Sequence, residues 1–164
     1  MLSLIRNLNG KYFEEFLSAC FEIGDVFSLS RNGWSNAGES VESKRILSLL
    51  SPYHINTLHT ENWFCQHVPQ GYEKEIYLFR ATEDAKKIML SEYKSVFYEG
   101  SVWMKPEDLC FFKNGKLFMG SLTHEDICYV YNYEVLFLER TAGLSIWEKG
   151  SDVLAEQISL HVYK

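Results

Sequence analysis

Between residues 11 and 23, Phe13, Phe16, Leu17 and Cys20 recur at spacings of three and four, while Glu14, Glu15 and Glu22 fall on the other side. That period predicts an amphipathic helix, and Gly24 supplies its stop. Residues 25–30 alternate and read as a first strand. Ser40 can cap a second helix running to Leu50, with Val41, Ile46, Leu49 and Leu50 on its buried side; Pro52 ends it. Residues 53–72 are polar and short of periodicity, with a strand expected over 55–59. Residues 75–81 are dense in β-formers, and Thr82 can cap a third helix whose Ala85, Ile88, Met89 and Tyr93 share a face.

Two β-rich runs within residues 109–122 flank Asn114-Gly115. Asn-Gly meets the demand of a type I′ turn for positive φ at both central residues, so a hairpin is predicted there. Thr123, followed by Asp126, has N-cap character, and residues 124–131 fit a short helix; residues 127–131 fit a strand equally well. Residues 133–140 are similarly ambiguous, residues 144–147 read as extended, and residues 151–158 read as a helix before a β-like tail over 159–163. Helices and strands mix without strict alternation, and the pairing that stands out is antiparallel. The fold class is α+β: one globular domain over residues 1–164, a mostly antiparallel sheet and several packed helices.

Composition adds a bias. Eleven Phe, ten Tyr and four Trp make the chain 15% aromatic, and 16 basic against 22 acidic side chains give a net charge of −6. Its basic pairs, Lys44-Arg45 and Lys86-Lys87, are each flanked by acids, so no stretch can neutralise a row of phosphates and direct nucleic-acid binding is disfavoured. No run reaches the 18 or so apolar residues needed to span a bilayer. Asn7, Asn9 and Gly10 interrupt the apolar start too early for a signal peptide. Four widely spaced cysteines, at 20, 65, 110 and 128, form no CxxC, and a cytoplasmic protein with reduced thiols is expected.

The densest polar chemistry lies in residues 52–67. His59, Glu61, Cys65 and His67 are competent zinc ligands, and mixtures of this kind serve hydrolytic sites. Their spacing matches neither HExxH nor paired CxxC elements, and no GxSxG, GxxxxGK[ST] or GxGxxG pattern occurs. A small metal-dependent hydrolase built on these four residues is therefore the alternative reading, and no cofactor is expected. His124-Glu125-Asp126 reads as the first turn of a helix, where acids meet the dipole favourably.

The aromatics divide. Phe13, Phe16, Phe27, Phe79, Phe111, Phe118 and Phe137 sit in periodic segments and are core. Trp63, Tyr72, Tyr98 and Trp103 lie in or near turns, and Trp34 sits on a loop rich in turn formers. Tyr129, Tyr131 and Tyr133 alternate, so an extended chain would put three hydroxyls on one face, with Asp126 and Glu134 nearby. Trp34, Trp103, Asp126, Tyr129, Tyr131, Tyr133 and Glu134 are thus the expected partner face. The reading leans away from an enzyme. It points to a protein-binding module of immunity or antitoxin type that masks a basic partner, such as a nuclease or other toxin. A regulatory domain that binds a small ligand is a further alternative.

Overall fold

The structure, a computed structural model, describes residues 1–32, 40–97, 104–150 and 159–160. In chain order its elements are β1 (Leu2–Leu4), α1 (Gly10–Ile23), β2 (Val26–Asn32), α2 (Val41–Leu50), β3 (His54–Thr60), β4 (Asn62–Trp63), β5 (Gln66–His67), β6 (Lys74–Arg80), α3 (Glu83–Glu92), β7 (Glu107–Lys113), β8 (Lys116–Leu122), β9 (Ile127–Val130), α4 (Glu134–Arg140) and β10 (Trp147–Lys149). Single 3-10 turns occupy Ser51–Tyr53, Thr123–Glu125 and Gly143–Ser145. Eight strands form one antiparallel sheet in the order β10-β1-β9-β8-β7-β2-β6-β3, and β4 pairs with β5 as a separate ribbon. This is an α+β architecture, and no helix is long and apolar enough to cross a membrane among the described residues.

Local chemistry accounts for the helix starts. Ser40 Oγ accepts the Ser43 amide at 2.9 Å, and Thr82 Oγ1 accepts the Ala85 amide at 3.2 Å, so each side chain satisfies one of the amides a helix leaves unpaired. Between β7 and β8, Lys113 faces Lys116, and Asn114 and Gly115 take φ of 51° and 76°.

Strand alternation splits the core into two layers. On one face Phe27, Phe79, Phe111, Phe118 and Val130 meet Phe16, Leu17, Ile46, Met89 and Phe137 from the helices. Phe27 stacks between Phe79 and Phe111, at centroid distances of 5.2 and 5.6 Å. On the other face Ile76, Leu78, Cys110, Phe112 and Leu117 are covered by Trp63 and Phe64 of the β4–β5 ribbon and by Leu160. β7 is buried on both faces as far as Phe112 for that reason.

Several expectations are corrected. Val41 is 85% exposed and Leu49 is exposed too; Ser43, Ile46 and Leu50 make the buried side of α2. Residues 124–131 are not a helix: after the 3-10 turn, Asp126 adopts φ 53° and reverses the chain into β9. Residues 144–147 are not simply extended, since the 3-10 turn precedes β10. The helix expected over 151–158 and all of the tail beyond residue 160 lie outside the described residues.

Candidate functional site

β3 and β6 pair with His59 opposite Glu75 and Thr60 opposite Lys74. Alternation puts His59 and Glu75 on one face and Thr60 and Lys74 on the other. The chain returns into β6 through a turn in which the Tyr72 amide donates to the Pro69 carbonyl at 3.1 Å. Gly71 occupies the third position with φ 85°, where a side chain would be strained. That turn lays Tyr72 and Glu73 beside His59. Together with Glu61 and Glu75 they line an open cleft of about 390 Å³ at the end of the strand pair.

The lining is acidic, with three carboxylates and one histidine and neither lysine nor arginine. Glu75 is the fixed member: it accepts from Arg31 Nε at 2.9 Å and from the Tyr77 hydroxyl at 2.6 Å. Glu73 is mostly exposed and lies 3.8 Å from His59 Nδ1. Glu61 is exposed, and Tyr72 keeps 49% of its surface in solvent. Two exposed carboxylates and an aromatic thus surround one anchored carboxylate.

Behind the cleft lies a charged pair with no access to water. Lys74, between Glu73 and Glu75 in sequence, points to the opposite face, where its ammonium meets Asp108 Oδ2 and Gln66 Oε1; Lys74 and Asp108 are each 1% exposed. Asp108 also accepts the Ser30 hydroxyl at 3.0 Å and the Thr123 amide at 2.7 Å, and its own amide donates to Thr123 Oγ1 at 3.1 Å. It pays for this with φ 54°, next to a register shift between β2 and β7. The network ties the start of β6 to β5, β2 and β7. It therefore fixes the base from which Glu73 and Glu75 project.

No family model, no curated protein and no solved structure matches this chain.

Glu107, Asp108 and His124 bring one ligand atom each within 4.8 Å of one another, the one such group among the described residues. It makes a poor cation site, because the Lys74 ammonium already sits on Asp108 Oδ2 and would repel a second positive charge. The four residues expected to hold zinc do not converge. His59 and Glu61 share the cleft, Cys65 occupies the β4–β5 turn with φ 51°, and His67 Nδ1 is bonded to Asn62 Oδ1 at 2.6 Å. Partial burial also raises the Cys65 thiol above its ordinary value, opposite to what a nucleophile needs.

The described members of the expected partner face lie apart from one another. Trp34 and Trp103 lie outside the described residues, as does Tyr98. Tyr131 is buried in the layer under the β4–β5 ribbon, with half-buried Tyr129 packed beside it, ring centroids 6.4 Å apart. Asn132 takes φ 65° and turns the chain, so Tyr133 instead packs in the helix-side layer against Phe118 at 5.3 Å. The three hydroxyls do not share a face. Asp126 is exposed at the tip between β8 and β9. Glu134 pairs with the Met1 ammonium at 3.1 Å; burial alone would raise its carboxyl, but backbone hydrogen bonds and that ammonium hold it below the ordinary value. Trp63, expected near a turn, is buried.

Sequence reasoning reached His59, Glu61 and Tyr72 but missed Glu73, Glu75, Lys74 and Asp108. The available signal was the Pro69-to-Tyr72 turn ahead of Glu-Lys-Glu, which in a strand must send Lys74 to the face opposite both acids.

Proposed function

We propose that the protein is a binding module that masks a basic surface of a partner protein, in the manner of an immunity or antitoxin-type inhibitor. The observation that carries this is the convergence of Glu61, Glu73 and Glu75 around exposed Tyr72 in one cleft. Lysine and arginine side chains entering it exchange water for carboxylates, while Tyr72 offers an aromatic surface with a polar tip. The net charge of −6 works in the same direction by accelerating encounter with a cationic partner. Relative to the tyrosine strip expected from sequence, the contact surface moves to the end of the β3–β6 pair.

The test is zero-length crosslinking of carboxylates to amines in native low-salt lysate. The expected result is a basic partner joined through Glu61 or Glu73 and lost in the Glu61→Lys/Glu73→Lys variant. Capture that is indifferent to this reversal overturns the proposal.

A further inference from the structure

The cleft adjoins the last strand of the sheet, and the hydrogen bonds show which way that strand's backbone faces. The Ala81 amide donates to the Asp25 carbonyl at 3.0 Å, so odd-numbered residues of β6 turn their peptide groups toward β2 and even-numbered ones toward β3. Leu58 and Thr60, opposite Ile76 and Lys74, are therefore the bonded positions of β3. Thr57 and His59 point their amides and carbonyls away from the sheet. Asn56 confirms the direction: its Oδ1 accepts the Thr57 amide at 2.9 Å, a bond the residue could not make facing β6. Among the described residues no strand lies beyond β3. Among the described residues it is the exposed Asn56 side chain that bonds this outward backbone, and Ile55 beside it is 45% exposed.

We propose that an extended segment of the basic partner adds to β3 at Thr57 and His59, placing alternate lysine or arginine side chains over the cleft. This deepens the reading above and rests on it. Cross-strand neighbours share a face, so a residue paired opposite His59 projects on the side of His59 and Glu75, where the carboxylates are. A residue two positions along the segment projects the same way and reaches Glu61 or Glu73. Main-chain hydrogen bonds give such a segment its hold, and alternate side chains give it specificity. A second copy of this chain is the wrong occupant, because it carries the same net charge of −6 and its β3 has no lysine or arginine to set over the cleft.

The probe is a short end-blocked peptide alternating lysine and valine, titrated into the intact protein at low salt with amide NMR and fluorescence anisotropy. Two companion peptides separate the contributions. One is N-methylated at the residues that would bond β3 and keeps every charge; the other carries glutamate for lysine. The expected result is saturable binding that shifts the Thr57 and His59 amides, weakened about tenfold or more by N-methylation and abolished by glutamate. Equal binding of the parent and N-methylated peptides, lost in Glu61→Lys/Glu73→Lys, overturns strand addition and leaves the acidic cleft as a binding site. No binding of either lysine peptide overturns both. Self-association that shifts Thr57 and His59 without peptide would assign the edge to a second copy and overturn the proposal.

Discussion

Lys74 and Asp108 each depend on the other, because an ammonium and a carboxylate kept from water have no solvent to fall back on. Removing one leaves a buried charge unpaired, and Asp108→Ala is expected to destabilise the fold by about 3–5 kcal/mol in urea titration. Asp108→Asn tests the cause: it keeps a residue that tolerates φ 54° but loses the charge, so it should also fall well below the wild type. Asp108→Gly relaxes the backbone and is expected to recover little, which would separate electrostatics from strain. Tyr131 presents the reverse case. Among the described residues its buried hydroxyl has no hydrogen-bond partner, and burial, reinforced by Cys65 and Tyr129, pushes it well above the usual phenol range. An unsatisfied buried hydroxyl costs more than it returns, so Tyr131→Phe is expected to raise stability by about 1 kcal/mol while leaving the fold intact. A loss of stability on that substitution would show that the hydroxyl is satisfied in solution.

The β4–β5 ribbon and the α2–α3 pair are the elements most open to test. Phe64 lies flat over Gly120, and a Cβ there would approach its ring to 2.8 Å. Gly120→Ala must displace the ring, and the expected outcome is faster hydrogen exchange for residues 62–67, with the amides of α1 unchanged. Across the helices, Arg45 forks onto Glu92 with contacts of 2.9 and 2.5 Å and holds that carboxyl below its ordinary value. A depressed carboxylate stabilises the fold above the unfolded pKa and ceases to do so as pH falls through its lowered value. The urea midpoints of the wild type and Arg45→Gln should therefore differ slightly at neutral pH and converge below about pH 4. These elements also show what a sequence reader can see. Ser40 and Thr82 announce their helices because capping is settled within four residues of chain. Residues 127–130 do not announce β9, since Ile-Cys-Tyr-Val suits helix and strand alike until the sheet accepts its edge. Tyr133 leaves the tyrosine strip because Asn132 takes a left-handed conformation, which a single residue type does not foretell. Glu75 joins His59 through register, and Lys74 finds Asp108 across 34 residues; no local window holds either fact.

At the scale of the whole molecule the question is whether the −6 charge acts as a diffuse field or through one place. A diffuse field would attract any cation in proportion to net charge and would be indifferent to where the charge is removed. The sheet provides the control. Among the described residues β3 forms one edge and β10 the other, and Glu148 on β10 and Glu139 on α4 are both exposed. Glu139→Lys/Glu148→Lys lowers the net negative charge by the same amount as Glu61→Lys/Glu73→Lys, but away from the cleft. Stopped-flow association with a basic partner, followed across ionic strength, distinguishes the two. If the cleft is the contact, the far-edge variant loses a small part of its association rate through weakened steering and keeps its dissociation rate. The cleft variant then loses affinity through faster dissociation too, because charges in direct contact hold the complex after encounter. Added salt should narrow the first difference and leave most of the second, since screening over about 8–10 Å acts on approach more than on contact. Equal losses in both variants would mean that the protein attracts cations as a whole and that the β3 edge has no special part in it.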